Sequence, residues 1–312
     1  MRAVVLTSFG GPGSVGVGEV LEPQAGDGQV LVDVAAAALG PWDLAAAAGA
    51  FVPAGGTPDF PQVQGWDFAG TVVGGSGRAP FGDGTPVLGF TPQPWSGTGA
   101  FAERIAVPAE TLAEVPETVD LATAATVPVT ALTAQLLLDT AEAAAGDSIL
   151  IIGAAGSVGG LTAQLAAHRG LRVLGSADPA DAGRLSELGV RHPIDRTGDV
   201  PAQARVAFPG GVDIVIDLVG GPAAASALAA ARDDGRFVSS IPAPPPSERN
   251  IRPANVAVAP DGATLGPLIQ QVASRQLVPV PIVGRYPLAS ARGAYAQLAA
   301  GGVKGKIVLT VP

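Results

Sequence analysis

Three glycines in the middle of the chain are spaced as in the turn that holds the phosphates of a dinucleotide. They are Gly153, Gly156 and Gly159, within the segment SILIIGAAGSVGGLTAQLAAHRG. In such a turn, one glycine permits the tight bend, one lets the backbone approach the pyrophosphate, and one allows close packing of helix on strand. The N-terminus of the following helix offers N–H groups and a partial positive charge. The segment predicts a dinucleotide site formed by Gly153, Ala155, Gly156, Ser157, Val158 and Gly159.

The residues after the next apolar run bear on the choice between NADH and NADPH. An acidic side chain about 20 residues after the glycines would bind the ribose hydroxyls of NADH, but Ser176 stands there. A serine leaves room for the 2′-phosphate of NADPH, and Arg196 could offer it a bidentate guanidinium fork. Arg184 is a second candidate, whereas Asp178 and Asp181 could repel the phosphate. The balance favours NADPH.

The elements around this turn alternate between strands and helices. The apolar runs Ser148–Gly153 and Val212–Leu218 are typical of central strands in a parallel sheet, covered on both faces. The alternation predicts a doubly wound α/β domain, with a proline-rich connector at Pro242–Pro246. Its further strands are expected at Arg172–Gly175 and Arg236–Ser240, and helices at Leu121–Thr140, Val158–Arg169, Ala180–Leu188, Ala223–Arg232 and Leu265–Arg275.

Residues 1–110 differ in texture, being rich in glycine, proline and valine with short β-like runs between turns. This pattern predicts a small, irregular β domain. The expected strands are Ala3–Leu6, Gln29–Ala35, Phe68–Val73, Thr85–Gly89 and Ala100–Val107. The final segment, Gly305–Pro312, is expected to be a strand that returns to the sheet of this first domain.

Composition excludes several classes of function. The chain has no cysteine and two histidines, His168 and His192, so a disulfide framework, a thiolate nucleophile and a cysteine- or histidine-rich metal site are excluded. The net charge of −9 and the lack of a Lys/Arg cluster argue against nucleic acid as a partner. No apolar stretch is long enough to span a bilayer, and no signal peptide begins the chain. We expect a cytoplasmic protein with a small-molecule substrate and no membrane partner.

From end to end, the chain resembles the zinc-independent quinone oxidoreductase branch of the medium-chain dehydrogenase/reductase superfamily. The resemblance rests on MRAVVLTSFGGPGSVGVGEV, GQVLVDVAAAALGPWDL, GWDFAGTVVG, the glycine segment, GGVDIVIDLVGG and VKGKIVLTV. It implies an α/β fold with two domains. A GroES-like β-rich catalytic domain would comprise residues 1–120 and 256–312, and a Rossmann NADPH-binding domain with a doubly wound parallel sheet would comprise residues 121–255. It also implies an active site in the cleft between the domains and a homodimer, often formed by edge strands of the Rossmann sheets.

The resemblance also implies why a catalytic metal is not expected. Zinc-binding members have a cysteine three residues before the first catalytic aspartate, where this chain has Gly40 before Asp43. They have a histidine after the glycine of the second motif, where this chain has Trp66. Neither glycine nor tryptophan ligates zinc, so polarisation of the substrate by a Lewis acid is not expected.

Other site residues follow from the same resemblance. Asp43 and Asp67 are the candidate catalytic residues, although each fits a structural hydrogen-bond acceptor better than a catalytic acid. The asparagine that is usual in the first motif is replaced by Gly40, and tyrosines found in many relatives are replaced by Ala45 and Phe51. The resulting pocket is expected to be apolar, with walls formed by Trp42, Phe51, Phe60 and Trp66. Further expected cofactor contacts are Thr133, Val219, Ser240, Ile241 and Lys304.

Three hypotheses about function remain open at this point. A quinone or conjugated carbonyl compound is the easier hydride acceptor without a metal, because the negative charge spreads onto oxygen. An enoyl or enone reductase from a biosynthetic pathway fits the same apolar pocket. A non-catalytic NADPH-binding sensor is the third hypothesis, since both tyrosines are missing.

Overall fold

The computed structural model describes residues 1–52, 59–75, 80–91, 99–241 and 249–312, and the chain divides into two compact units. Unit 1 joins Met1–Val129 to Ala259–Pro312, and unit 2 is Thr130–Val258. The connector expected at Pro242–Pro246 lies outside the described residues.

Strands and helices are numbered here along the whole chain. The strands are β1 Arg2–Leu6, β2 Val15–Glu19, β3 Gln29–Leu39, β4 Gln62–Val63, β5 Asp67–Gly75, β6 Pro86–Phe90, β7 Arg104–Pro108, β8 Ala113–Glu114, β9 Ser148–Ile152, β10 Arg172–Ala177, β11 His192–Asp195, β12 Val212–Asp217, β13 Ala231–Ser239, β14 Arg252–Asn255, β15 Ile282–Pro287 and β16 Lys306–Thr310. The α-helices are α1 Pro41–Ala47, α2 Leu121–Ala124, α3 Pro128–Thr140, α4 Ser157–His168, α5 Ala182–Glu187, α6 Val200–Ala207, α7 Gly221–Leu228, α8 Gly262–Ala273 and α9 Ala291–Ala299.

Unit 1 is built on two β-sheets. The smaller sheet has the order β2-β1-β4, and the larger has the order β15-β16-β3-β5-β6-β8, with β7 also paired to β3. Along the first part of β3, buried residues alternate with half-buried ones, as expected for a strand with one face on a core. The last strand, β16, pairs antiparallel with β3. The prediction that the C-terminal strand returns to the first sheet is confirmed.

Unit 2 contains a parallel sheet with the strand order β11-β10-β9-β12-β13-β14. This is the order of a doubly wound dinucleotide-binding sheet, so the predicted fold class is confirmed. β9 lies at its centre, and every residue of β9 is buried. That burial on both faces explains why the sequence SILII is apolar throughout.

The helix expected at Leu121–Thr140 is interrupted and forms two helices. α2 ends at Ala124 and α3 begins at Pro128, because proline lacks the N–H that a helix interior requires and is accommodated in a first turn. α2 packs against β3 and β5 of unit 1. Unit 1 therefore extends to Val129, beyond the boundary expected after residue 120.

The structure corrects the end of one expected helix and the start of one expected strand. The helix expected at Ala223–Arg232 ends at Leu228, and β13 begins at Ala231. Arg232 thus belongs to a strand, where its guanidinium pairs with Asp213 of the neighbouring β12 at 2.7 Å. In the N-terminal part, the strand expected at Ala100–Val107 starts only at Arg104.

Candidate active site

The glycine turn of unit 2 has the geometry that close backbone approach requires. β9 ends at Ile152, and Gly156 is the N-cap of α4. A Cβ at Gly159 would lie 2.2 Å from the carbonyl oxygen of Gly153, so only glycine lets the first turn of α4 pack against this bend. The turn presents backbone and the N-terminus of a helix where a phosphate would bind. These residues fit the pyrophosphate of a dinucleotide.

Two arginines of unit 2 are candidates for binding a phosphate, and their side chains have different partners. Arg184 of α5 donates from Nη1 to the carbonyl oxygen of Ala155 at 3.2 Å, so it contacts the turn itself. Arg196 follows β11 and pairs through Nε with Oδ1 of Asp178 at 2.5 Å. The carboxylate expected to repel a phosphate therefore has a cation beside it. Ser176 lies buried in β10.

A buried aspartate organises the loops after β12 and β13. Oδ1 of Asp217 accepts hydrogen bonds from the backbone N–H groups of Val219 and Gly220 at 3.0 and 2.9 Å. Its Oδ2 accepts from the hydroxyl of Ser239 at 2.7 Å, and that hydroxyl accepts from the N–H of Ile241 at 2.9 Å. Val219, Ser240 and Ile241 are thus held in defined loops at the carboxyl ends of parallel strands, where ligands bind in sheets of this type.

The remaining expected cofactor contacts are less well defined. Thr133 is buried on α3, and the hydroxyl of Thr130, one turn earlier, has no hydrogen-bond partner in the described part of the chain. Lys304 is half-buried just before β16. The cofactor roles of Thr133 and Lys304 stay predictions.

In unit 1, Asp43 stabilises the start of α1. Its Oδ2 accepts from the N–H of Gly40, the N-cap, at 2.7 Å, which satisfies a donor that a helix start leaves open. Asp43 is fully buried, and its Oδ1 has no partner among the described residues. Burial raises the pKa of Asp43 to about 8; the Gly40 hydrogen bond and Lys306 lower it, and Asp67 adds to the rise. At neutral pH this carboxyl therefore carries a proton in most molecules.

Asp67 and Lys306 form a buried ion pair that sequence reasoning missed in part. The ammonium of Lys306 donates to Oδ2 of Asp67 at 2.8 Å, and both side chains are inaccessible to solvent. Oδ1 of Asp67 accepts from the N–H of Val129 at 2.7 Å. Burial raises the pKa of Asp67, and Lys306 opposes that rise. Both groups donate hydrogen bonds to the carboxylate of Asp67. This arrangement fits a structural role for Asp67 as a hydrogen-bond acceptor.

Trp42 fills the space beside this pair. Its ring lies 4.0 Å from the ammonium of Lys306, a cation–π arrangement. A Cβ at Gly40 would meet the same indole at 2.3 Å. The indole therefore occupies the space into which any side chain at position 40 would have to project.

Aromatic rings surround Trp66, the residue at the second zinc-ligand position of metal-binding relatives. The ring of Phe51 lies 5.6 Å from that of Trp66, tilted by 53°. The ring of Phe90 is nearly parallel to it, 6.2 Å away. The structure therefore brings two of the expected pocket walls, Phe51 and Trp66, into contact.

Sequence reasoning missed Lys306, Asp217 and the contact of Arg184 with the turn. A signal existed for the first two: Lys306 is the one charged residue of KIVLT, and Asp217 ends the strand VDIVID, whose other charged residue is Asp213. A charged side chain at a fully buried position needs a partner. No sequence signal identifies which partner that is.

Among the described residues, no cluster of three or more histidine, aspartate or glutamate side chains could hold a metal ion. In the same residues, no helix has the length and apolar character needed to cross a membrane.

Comparisons with known proteins agree with this architecture. The family model "Alcohol dehydrogenase GroES-like domain" matches residues 26–117, and the model "Zinc-binding dehydrogenase" matches residues 188–309. The NADPH-dependent alkenal/one oxidoreductase of Arabidopsis thaliana, named as chloroplastic, is 30% identical over 319 residues, which cover 99% of this chain and 79% of that protein. The quinone oxidoreductase of Rattus norvegicus is 30% identical over 225 residues, which cover 70% of this chain and 66% of that protein.

Solved structures show the same fold along the whole chain. The quinone oxidoreductase from Coxiella burnetii has a TM-score of 0.89 and 28% identity, over 100% of this chain and 99% of that one. Two other curated relatives are longer proteins, and this chain spans 64% and 58% of their length. Since one relative matches at 30% identity over nearly the whole chain, the protein belongs to the zinc-independent quinone oxidoreductase branch of the medium-chain dehydrogenase/reductase superfamily, an oxidoreductase family that binds a nicotinamide cofactor.

Proposed function

We propose that this protein is an NADPH-dependent oxidoreductase that reduces a quinone or another conjugated carbonyl compound without zinc. The observation that carries the proposal is the pair of residues at the former zinc-ligand positions. Gly40 has no side chain and Trp66 has an indole, and neither offers an atom that binds zinc. The chain nevertheless keeps the complete glycine turn for the dinucleotide.

Unit 2 would hold the pyrophosphate of the cofactor through backbone groups rather than through charged side chains. The pyrophosphate would bind at the turn Gly153–Gly159 and the N-terminus of α4. The loops ordered by Asp217 would contact the nicotinamide end through Val219, Ser240 and Ile241. When bound, the reduced nicotinamide supplies a hydride to the acceptor.

The preference for NADPH over NADH rests on the ends of β10 and β11. Ser176 presents no carboxylate to the ribose, and Arg196 and Arg184 are the cations within this part of unit 2 that could bind a 2′-phosphate. Asp178 would have to share Arg196 with the phosphate, because the two side chains already form an ion pair. Arg184 would reach the phosphate from the turn itself.

The acceptor would be held by unit 1 against aromatic walls. Trp42, Phe51 and Trp66 give flat apolar surfaces that suit a planar ring. Asp43 and Asp67 would position the backbone of this region rather than transfer protons, because both are buried and accept hydrogen bonds from Gly40 and Val129. The proton that completes the reduction would then come from water.

The printed names of the relatives support two related activities. The rat relative is a quinone oxidoreductase, and the Arabidopsis relative is an alkenal/one oxidoreductase. An enone reductase is therefore the second candidate, with the same cofactor and the same aromatic walls. In either case the acceptor is a conjugated carbonyl compound, in which charge delocalises onto oxygen.

Turnover of three acceptor panels tests the proposal. Purified protein is given NADPH with small quinones, with enones or with enoyl thioesters, and the loss of NADPH absorbance is followed. We expect the quinones to be reduced fastest. Activity confined to enones or enoyl thioesters would replace the quinone assignment with the second candidate, and binding of NADPH without its oxidation by any panel would show a cofactor sensor instead.

A further inference from the structure

We propose that the indole N–H of Trp66 donates a hydrogen bond to a carbonyl oxygen of a flat, aromatic acceptor and so determines which ligands unit 1 accepts. The inference deepens the proposed function and rests on it for the chemical class of the acceptor. It assigns to this side chain the contact with oxygen that a metal makes in zinc-binding relatives.

The first observation is an unsatisfied donor. Trp66 is 8% exposed, and its Nε1 is buried without a hydrogen-bond partner among the described residues. A buried tryptophan N–H normally has a partner, since leaving it unpaired is costly. A ligand that brings an acceptor atom to Nε1 would remove this cost, whereas a hydrocarbon ligand would not.

The second observation is that the indole is held in place before any ligand arrives. Phe51 and Phe90 contact its ring, the latter nearly parallel to it. The carbonyl oxygen of Trp66 accepts from the N–H of Thr91 at 3.0 Å. The next residue, Asp67, is fixed by Val129 and by the ammonium of Lys306. A donor fixed in this way loses little conformational entropy on binding.

The third observation is a partly exposed aromatic surface that continues from this ring. Phe51 is 37% exposed and Phe60 is 38% exposed. Phe9, which is 37% exposed, packs edge-on against Phe60 at 5.2 Å, and its ring lies against Gly49, two residues before Phe51. Exposed aromatic side chains grouped in this manner mark a binding surface.

The chemistry of this surface selects a planar ring that carries a carbonyl group. Aromatic walls bind flat rings by stacking and edge contacts, and the unpaired N–H of Trp66 adds a directional contact to an oxygen. Among the described residues Trp42 has a second buried indole N–H without a partner, which Trp66→Phe leaves in place. A quinone meets both requirements, because its carbonyl oxygens lie in the plane of the ring. The aromatic hydrocarbon of the same shape meets only the first.

The test compares two ligands of the same ring system on two proteins. Binding of 1,4-naphthoquinone and of naphthalene is measured by equilibrium dialysis with NADP⁺ present, so that no turnover occurs. Trp66→Phe keeps an aromatic ring and removes the N–H. We expect it to weaken naphthoquinone binding about three- to tenfold, the range for one neutral hydrogen bond, and to leave naphthalene binding unchanged.

Tyr295→Phe is the matched control. It removes another unpaired buried donor of unit 1, from a side chain that packs on Phe101 in the core, and it should leave both ligands unaffected. Thermal unfolding of each variant establishes that it is folded. Equal losses for both ligands in Trp66→Phe would show a packing role, and no loss, or a wild-type protein that binds neither ligand, would equally overturn the inference.

The same proteins separate this inference from the proposed function. Selective loss of naphthoquinone binding in a protein that never oxidises NADPH would uphold the hydrogen bond and refute the activity. If wild type and Trp66→Phe reduce quinones equally and bind naphthoquinone equally, the quinone reductase activity is upheld and the hydrogen bond from Trp66 is refuted.

Discussion

At the scale of single residues, Asp43 makes stability depend on pH in an unusual direction. Its pKa is 3.8 as a free side chain and about 8 in the folded protein, mainly because it is buried. Between these values the folded state keeps a proton that the unfolded state has lost. The free energy of unfolding therefore falls as the pH rises from about 4 to about 8.

We expect Asp43→Asn to flatten this dependence, since asparagine accepts the Gly40 hydrogen bond without an ionisable group. Urea unfolding at several pH values between 5 and 9 measures the slope for each protein. Asp27→Asn, which changes an exposed carboxyl of the same unit, should keep the wild-type slope. Parallel pH profiles for wild type and Asp43→Asn would contradict the prediction.

Gly40 and Trp42 are a second residue-scale case, in which a departure from the family pattern at position 40 depends on the side chain two residues later. Any side chain at position 40 would collide with the indole of Trp42. We expect Gly40→Asn, which restores the usual family residue, to destabilise the protein by about 1–3 kcal/mol, as overpacking does. In a Trp42→Ala background the same change should cost much less.

Chemical denaturation of the four proteins gives the coupling between these two positions. Independent, additive effects would mean that the two side chains do not compete for space. A positive result would explain physically why glycine, and not the asparagine that is usual in the family, stands two residues before Trp42.

At the scale of elements, the success of sequence reasoning followed the strength of the local signal. β9 and β12 were located closely, because strands buried on both faces are apolar along their whole length. α1, α6 and α9 were not predicted; they have 7, 8 and 9 residues, so each offers little more than two turns in which a helical pattern could be recognised. The glycine turn was predicted from the spacing of its glycines and from the strand and helix that flank it, whereas the hydrogen bonds of Asp217 depend on two loops that only the folded sheet brings together.

The ends of β10 and β11 carry a prediction about cofactor choice. Arg196→Ala should weaken NADPH binding about tenfold, as expected when one hydrogen bond to a charged group is lost, and should leave NADH binding unchanged. Fluorescence titration with both nucleotides measures this. Asp178→Asn is the companion variant, and it should strengthen NADPH binding because the ion pair with Arg196 is removed.

Wild-type protein that binds NADH as tightly as NADPH would refute the assignment of a phosphate site. If instead the preference exists and survives Arg196→Ala, then Arg184, which contacts the turn at Ala155, becomes the phosphate-binding residue, and Arg184→Ala should abolish the preference.

At the scale of the whole molecule, contacts between distant parts of the chain limited what sequence could predict. Asp67 and Lys306 are 239 residues apart, yet they form one ion pair because β16 returns to pair with β3. The return of the strand was predictable from its apolar sequence and the family pattern. The partner of its lysine was not, because many carboxylates were available and only the register of the sheet selects one.

The edge strand β14 of the sheet in unit 2 carries the last prediction, which concerns assembly. β14 pairs with β13 on one side, and the N–H of Val256, just after the strand, donates to Ser239 on that side at 2.9 Å. Among the described residues, β14 is the last strand in the order of this sheet. A homodimer formed by pairing of two β14 edges would continue the sheet from one copy to the next.

We therefore expect wild-type protein to sediment at twice the monomer mass. Amide hydrogen exchange in β14 should slow when the protein concentration is raised to favour the dimer, because pairing removes the strand edge from solvent. A monomeric wild type would refute the dimer, and a dimer with unchanged exchange in β14 would place the contact elsewhere on the surface.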